Sequence, residues 1–294
     1  MRVFPDSPSP TLCGRPVPAD RALVMAIVNR TPDSFYDRGA TFSDDAAMAA
    51  VERAVDEGAD SVDIGGVKAG PGALVDTAEE IRRVVPFVEA IRTRFPDLII
   101  SVDTWRSEVA RLARSEGADL INDTWAGADP ALVEVAAETG AGIVCSHTGG
   151  AVPRTRPFRV RYTDVVDEVR RDVVSAAENA ARIGVPRDSI LIDPTHDFGK
   201  NTYHGLELLR RVDELVNTGW PVLMALSNKD FIGETLGVDL ADRLEGTLAA
   251  TALAAAEGAR MFRVHEVAHT RRVVDMVAAI SGRRAPEHTV RGLA

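Results

Sequence analysis

The sequence predicts a single (β/α)8 TIM barrel, and two observations lead to it. Eight short apolar runs rich in Val, Ile and Leu alternate with segments of helical periodicity across residues 22–267. Consecutive apolar positions are typical of a parallel strand that is covered on both faces. Several helical segments also end in Gly-Ala just before the next run, and a glycine past a helix end provides the left-handed turn that stops it. Eight such repeats suit a closed barrel.

The predicted strands follow one another with similar lengths. They cover residues 22–29, 61–66, 98–104, 119–123, 142–148, 189–194, 221–227 and 261–267. Helical periodicity is clearest over residues 46–58 and 78–95, and the Gly-Ala pairs begin at positions 58, 117, 140 and 258. The alternative is an open doubly wound sheet, which usually carries G-x-G-x-x-G after its first strand. Here the first strand ends at Asn29 and continues as Arg30-Thr31-Pro32-Asp33, so we favour the barrel.

Composition divides the chain into three parts and limits its function. Residues 1–19, rich in Pro and Ser, are predicted to be a flexible N-terminal segment, residues 20–282 the barrel, and residues 283–294 a C-terminal tail. Lys and Arg number 34 against 44 Asp and Glu, a net charge of −10. An acidic chain argues against nucleic-acid binding, which favours a basic face.

Cysteine content and hydropathy point to a cytoplasmic protein. Cys13 and Cys145 are too few for a disulfide framework and lack the spacing of a metal site. The N-terminus shows no apolar stretch of signal-peptide length. No window approaches the roughly 18 apolar residues of a membrane span. We therefore expect a reducing compartment and no membrane contact.

Polar residues collect where the predicted strands end. In a barrel, the carboxyl ends of the strands form one mouth, where the chemistry takes place. Each such residue taken alone is more simply a helix cap or a turn former. Their number suggests one site, and they are Asn29, Asp63, Asp103, Asn122, His147, Asp193, Lys229, Arg263 and His265.

The residue types suggest a flat, polar ligand. Asp103, Asn122 and Asp193 offer acceptors and an amide that also donates, a set that can hold the amino and ring N–H groups of a heterocycle. Lys229 could donate to a ring carbonyl or nitrogen. The alternative for Asp193 is a cap on the following helix.

An anion subsite is expected beside this pocket. Arg263 and His265 alternate along a strand and so share one face, and a guanidinium beside an imidazole suits a phosphate. Asn29 could hold a phosphate or a hydrated Mg²⁺. The alternative for Arg263 is a salt bridge with a nearby carboxylate such as Glu266.

Seven motifs resemble those of the dihydropteroate synthases, in family order and over nearly the whole predicted barrel. The motifs are Asn29-Arg30-Thr31-Pro32-Asp33-Ser34-Phe35, Asp63-Ile64-Gly65-Gly66, Ser101-Val102-Asp103-Thr104, Ile121-Asn122-Asp123, Ile192-Asp193-Pro194 with Phe198-Gly199-Lys200, Ser227-x-Lys229-x-Phe231-Ile232-Gly233, and Arg263-Val264-His265. The ordered set is specific, although any one motif would be weak.

This resemblance implies a pterin-binding barrel, usually a homodimer. Family members join 6-hydroxymethyl-7,8-dihydropterin diphosphate to p-aminobenzoate in folate synthesis. By resemblance, the pterin pocket would comprise Asp103, Asn122, Asp193 and Lys229, and the diphosphate with its Mg²⁺ would face Asn29, Arg263 and His265. The protein would stabilise the leaving diphosphate and position the attacking amine.

Two loops depart from the family pattern where the second substrate would bind. A stretch resembling S-T-R-P-G is replaced after Gly66 by Val67-Lys68-Ala69-Gly70-Pro71-Gly72, and Lys68 cannot reproduce bidentate arginine geometry. S-R-K-S becomes Ser227-Asn228-Lys229-Asp230. An Asp230 carboxylate within ~4 Å of the aminobenzoate carboxylate would cost about 4 kcal/mol at an effective dielectric of 20. The alternative is that Asp230 turns away and pairs with a nearby arginine.

Three further departures are smaller. Thr195 replaces a family glycine at a position where the backbone angle is expected to be unusual. Arg30 replaces an aliphatic residue and could be an anion contact or a solvated charge. Residues 148–150, Thr-Gly-Gly, replace a stretch that contains methionine.

These differences predict a divergent second synthase copy, of the kind found in actinobacteria, that keeps the pterin pocket and has lost or nearly lost activity. Three alternatives remain open: an active synthase, an enzyme for another pterin-like or diphosphate substrate, and a non-enzymatic pterin sensor or partner subunit. Corrinoid-linked methyltransferases share the barrel but lack the Asn29–Phe35 motif, so we disfavour them.

Overall fold

The computed structural model describes residues 10–31, 43–155 and 161–292. Its strands are β1 (Thr11–Leu12), β2 (Arg15–Pro16), β3 (Leu23–Asn29), β4 (Ser61–Gly65), β5 (Ile99–Asp103), β6 (Leu120–Asp123), β7 (Gly142–Ser146), β8 (Ile190–Asp193), β9 (Leu223–Met224) and β10 (Met261–Val264). Its helices are α1 (Asp44–Asp56), α2 (Thr77–Arg94), α3 (Ser107–Ser115), α4 (Ala131–Thr139), α5 (Val165–Ile183), α6 (Thr202–Arg210), α7 (Val212–Val216), α8 (Asp230–Leu236), α9 (Leu244–Ala256) and α10 (Val267–Ile280).

Strands β3 to β10 form the predicted barrel. Their order in the sheet is β8-β7-β6-β5-β4-β3-β10-β9, and all neighbouring pairs are parallel. A single parallel bridge between Ile192 of β8 and Val222, the residue before β9, nearly closes the circle. The fold prediction is confirmed. Strand β9 is shorter than the seven residues that the sequence predicts. Only Leu223 and Met224 pair along the sheet, with Met261 and Phe262 of β10.

Side chains along each strand point alternately into the barrel and toward the helices, and so form two layers of the hydrophobic core. In β6, Leu120 belongs to the cluster inside the barrel and Ile121 to the cluster between the barrel and the helices. Because successive side chains point to opposite faces, Asn122 follows Leu120 inward, and Asp123 follows Ile121 outward. This parity decides which strand-end residues can meet inside the mouth.

A short hairpin of β1 and β2 packs at the opposite end of the barrel from the mouth. Leu12 and Val17 join the inner cluster, and Arg15 Nε lies 2.9 Å from the Asp119 carboxylate just before β6. The hairpin falls inside the stretch 1–19 predicted to be flexible, so at least residues 11–17 of that stretch are ordered by packing. Beyond α10, the described residues contain no helix or strand. Among the helices described here, none is long and apolar enough to cross a membrane.

Candidate functional site

The floor of the mouth is a buried network centred on Asp63 and Arg263. Arg263 on β10 donates from Nε to Asp63 Oδ2 at 2.5 Å and from Nη2 to Asp103 Oδ2 at 2.8 Å. Asn122 Nδ2 donates to Asp63 Oδ2 at 3.0 Å, and Ser101 Oγ donates to Asp63 Oδ1 at 2.6 Å. Three of the predicted ligand-binding residues, Asp103, Asn122 and Arg263, therefore lie within one hydrogen-bonded group. Arg263 pairs with these two aspartates rather than with Glu266.

Burial raises the pKa of two carboxyl groups at the mouth, Asp103 and Asp193. Burial raises the pKa of Asp103, while Arg263 lowers it and Asp63 raises it. Burial also raises the pKa of Asp193 to about 6, against the Thr195 N–H and the Lys229 charge. Carboxyl groups that titrate near pH 6 can exchange between acceptor and donor roles close to neutral pH.

Asp193 and Lys229 are engaged by the loop that follows β8. Asp193 Oδ1 accepts from the Thr195 N–H at 2.7 Å, which is a turn within the loop and not a helix cap. The cap of the next helix, α6, is Asn201. Lys229 Nζ lies 2.8 Å from Asp197 Oδ2. Asp197 was not singled out from the sequence, because a carboxylate in a loop is usually solvated.

A small cavity opens on the side of the mouth predicted for diphosphate. Its volume is about 130 Å³. It is lined by Ile27, Asn29, Thr31, Val67, Lys68, Ala69, Asp103, Ala225, Ser227, Lys229, Arg263 and His265. The predicted diphosphate residues Asn29, Arg263 and His265 thus share one cavity with the altered-loop residue Lys68. Its basic side chains make it suited to an anion.

A second polar group surrounds His265. Ser227 Oγ lies 2.9 Å from His265 Nδ1 and donates to Glu266 Oε2 at 3.1 Å. Asn228 Nδ2 donates to Glu266 Oε1 at 2.9 Å. Asn228 has a positive φ of 58°, a conformation that asparagine tolerates better than most residues. Glu266 therefore organises the loop after β9, a role that the sequence did not indicate.

The Asp230 side chain turns outward from the mouth. Its Oδ1 accepts from Arg243 Nη1 at 2.8 Å, and 70% of the side chain is exposed. The alternative reading of the sequence, a pair with a nearby arginine, is the one found. Arg243 neutralises the charge of Asp230. Asp230 is therefore not expected to repel the carboxylate of an aminobenzoate.

Two other altered positions have local explanations. Arg30 is buried, forms a salt bridge with Asp44 and lies over the Phe87 ring, 4.7 Å from its centroid. It is therefore not a solvated surface charge. Thr195 has a φ of 51°, as expected where the family has glycine. Residues 32–35 of the first motif lie outside the described residues.

His147 does not join the other strand-end residues inside the mouth. Its Nδ1 lies 2.9 Å from Lys200 Nζ, and its Nε2 lies 3.5 Å from Asp172 of α5, outside the barrel wall. Burial and the Lys200 charge lower the pKa of His147 to about 3. The prediction that it converges on the mouth is wrong, since these contacts hold the ring, one residue beyond the end of β7, against Lys200 and α5.

Lys200 holds two loops together, a role that the sequence left unassigned. Its Nζ donates to the carbonyl oxygens of His147, Thr195 and Phe198 at 2.9–3.0 Å. Burial lowers the pKa of Lys200 to about 7, with Asp193 and Asp197 acting in the opposite direction. The only sequence feature that points to this role is the position of Lys200 at the end of the Phe198-Gly199-Lys200 motif.

Oxygen atoms that suit Mg²⁺ are present in the cavity. Asn29, Thr31 and Asp103 line it, and the Thr31 hydroxyl is buried with no hydrogen-bond partner in the described part of the chain. The described residues hold no group of three or more His, Cys, Asp or Glu able to bind a metal by themselves. These donors therefore fit a hydrated Mg²⁺ that takes its other ligands from water and a phosphate.

The chain is thus a (β/α)8 barrel whose mouth holds buried carboxyl groups beside an arginine-containing cavity. The family model described as pterin binding enzyme matches residues 25–265. The chain therefore belongs to the pterin-binding enzyme family and, within it, to the dihydropteroate synthases.

Individual relatives agree with this assignment. The chain is 73% identical to the inactive dihydropteroate synthase 2 of Mycobacterium leprae (strain TN) over 96% of its length and 99% of the relative's. It is 39% identical to the dihydropteroate synthase of Escherichia coli (strain K12), over 87% and 90% of the two chains. The Yersinia pestis dihydropteroate synthase, solved in a sulfonamide drug complex, superposes with a TM-score of 0.86 at 34% identity, covering 93% and 99%.

Proposed function

We propose that this protein is a dihydropteroate synthase homologue that binds a pterin and its diphosphate but has lost or nearly lost synthase activity. The observation that carries the proposal is the contrast between floor and loops. The floor residues Asp103, Asn122 and Arg263 are assembled in one buried network. In the loops above, Lys68 lines the cavity in the loop that lacks the family arginine, and Lys229 is held by Asp197 of the same chain. Relatives at 70–73% identity that are named inactive support the same conclusion.

In this proposal, each group of residues has a defined task. Asp103, Asn122 and Asp193 accept from and donate to the polar edge of the pterin ring, and Lys229 donates to a ring acceptor. Asn29, Arg263 and His265 face the diphosphate, with Lys68 as an added cation. Mg²⁺, held through Asn29, would supply charge neutralisation for the diphosphate. Lys68 adds charge to this subsite without the paired hydrogen bonds of an arginine.

The wider setting of the protein is also a proposal. We place it in the cytoplasm, since Cys13 and Cys145 are both free thiols. Its negative net charge disfavours nucleic acid as a partner. Family resemblance supports a homodimer.

A coupled assay with pterin diphosphate, p-aminobenzoate and Mg²⁺ tests the proposal. We expect turnover more than tenfold below that of an ordinary synthase measured in parallel. Calorimetry with the pterin diphosphate alone is expected to show binding that is weakened by removal of Mg²⁺ and by Asn29→Ala. Turnover within tenfold of the ordinary enzyme would refute the loss of activity, and absence of pterin binding would refute the retained pocket.

A further inference from the structure

The loop after β8 brings a carboxylate to the lysine of the proposed pterin pocket. Asp197 Oδ2 lies 2.8 Å from Lys229 Nζ, and the exposed fractions of the two side chains are 32% and 22%. Lys229 also lines the mouth cavity, whereas the described lining of that cavity does not include Asp197. The ammonium group is therefore oriented by a carboxylate that is not part of the lining of the cavity assigned to the anion.

The position of Asp197 is fixed by the residues on either side of it. On the N-terminal side, Thr195 Oγ1 donates to the Asp193 carbonyl oxygen at 3.1 Å and accepts from the His147 N–H at 3.2 Å. On the C-terminal side, the Phe198 N–H donates to the Thr195 carbonyl oxygen at 3.2 Å, and the Phe198 ring packs edge-on against Trp125 at 4.6 Å.

Lys200 also holds the turn that carries Asp197. Its ammonium group donates to the carbonyl oxygens of both Thr195 and Phe198, and so spans the turn that carries Asp197. A carboxylate on a fixed turn loses little conformational entropy when it pairs, because the backbone has already been ordered. The ion pair with Lys229 is consequently favoured over one made by a mobile side chain.

We propose that Asp197 lowers the affinity of the pocket for a pterin-class ring by competing with the ring for the Lys229 ammonium group. This inference rests on the proposed function, because it assumes that Lys229 faces the ring. A carboxylate forms a stronger, charge-assisted hydrogen bond with an ammonium group than a neutral ring carbonyl or nitrogen does. The ring must therefore displace or share a better acceptor, and its affinity falls.

The expected size of the effect is modest. Partly exposed ion pairs contribute up to about 1 kcal/mol, which converts to a factor of about five in affinity. Removal of the Asp197 charge should therefore tighten binding of a neutral pterin by about two- to fivefold. The gain should require the ammonium group of Lys229.

A double-mutant cycle tests this requirement. The probe is 6-hydroxymethylpterin, a neutral ring without diphosphate, titrated by calorimetry into the full-length protein and the variants Asp197→Asn, Lys229→Met and the pair combined. Asp213→Asn, an exposed carboxylate on α7, is the matched control. We expect Asp197→Asn to tighten binding two- to fivefold, Lys229→Met to weaken it, and Asp197→Asn to have no effect once Lys229 is Met. Thermal unfolding of each variant checks that the fold is kept.

The outcomes separate this inference from the function on which it rests. Unchanged or weaker binding by Asp197→Asn, or tightening that persists in the Lys229→Met background, overturns the competition. If wild-type protein binds the probe and Lys229→Met weakens binding in the same series, the proposed pocket still stands. If no variant binds the probe, the proposed pocket fails as well.

Discussion

Thr195, in the loop after β8, has an unusual backbone conformation. A β-branched side chain at a φ of 51° is strained, since this region is favoured by glycine. The Oγ1 contacts to His147 and Asp193 offset part of that strain. The resemblance predicted the unusual backbone angle. It could not predict the contacts, because His147 lies 48 residues away in the chain.

Asp230 shows the limit of prediction at the same scale. Its pairing with Arg243 joins residues 13 positions apart across α8 and a turn. No spacing rule for a single helix or strand brings such residues together. The motif around Lys229 therefore located the loop correctly, while the direction of the Asp230 side chain depended on tertiary packing.

We expect His196 to make the fold sensitive to acid. It is 3% exposed, and neither ring nitrogen has a hydrogen-bond partner among the described residues. Burial, with Lys200 and Lys229, lowers the pKa of His196 to about 3, below the unfolded value of about 6.5. The unfolded chain therefore takes up the proton first, and stability is lost as the pH falls below 6.5. Between pH 7.5 and 5, this residue should cost about 2 kcal/mol of unfolding free energy.

Urea unfolding of His196→Leu measures that contribution. Leucine has similar volume and does not titrate, so the variant should lose about 2 kcal/mol less than the wild type between pH 7.5 and 5. His269→Leu, at an exposed histidine of α10, is the control and should keep the wild-type pH dependence. Parallel pH dependences of wild type and His196→Leu would contradict the role of His196.

At the scale of elements, strand parity decides which strand-end residues face the inside of the barrel. Asn122 lies two residues after the inward-facing Leu120, and Asp193 two residues after the inward-facing Leu191. His147 lies one residue beyond the end of β7, and its contact with Asp172 of α5 places it on the outer side of the barrel. The sequence predicted the strands, but it did not show which parity faced inward, because both layers of the core are apolar.

Helix α9 carries more apolar surface than its own barrel buries. Its sequence, LEGTLAATALAAA, is apolar on every side, yet 65% of Leu253 is exposed. The neighbouring helix α10 exposes Met276 and Ile280. A helix that is apolar all round is usually buried, so we expect this face to contact a second copy of the chain.

Leu253→Asp is expected to shift the protein from dimer to monomer. A charge placed in an apolar interface must be desolvated without a partner, which costs several kcal/mol. Sedimentation velocity at micromolar concentration measures the change. Leu74→Asp, which alters a 91% exposed loop residue, should leave the dimer intact. A wild-type protein that sediments as a monomer, or a Leu253→Asp variant that remains dimeric, would exclude this face as the interface.

Across the whole molecule, Arg263 joins strands that lie far apart in the chain. Its partners Asp63 and Asp103 are 200 and 160 residues away, on β4 and β5. The barrel places β10 beside β3, so these strands become near neighbours only after the chain ends have met. The sequence could predict that Arg263 faces the mouth, but its partners followed only from closure of the barrel.

Loss of Arg263 should therefore destabilise the whole barrel in a pH-dependent way. Arg263→Leu leaves two buried carboxylates without their cation, which typically costs about 3–5 kcal/mol. Arg263 lowers the pKa of Asp103, so without it the Asp103 carboxyl group takes up a proton more readily as the pH falls. The deficit relative to wild type should thus be smaller at pH 5 than at pH 7.5, as measured by urea unfolding at both values.

Two control variants accompany this measurement. Arg263→Lys, which keeps the charge, should lose less unfolding free energy than Arg263→Leu. Arg94→Leu, at a 65% exposed arginine, should lose under about 0.5 kcal/mol. A deficit that is equal at the two pH values would mean that packing of the arginine stem, rather than its charge, holds the strands together.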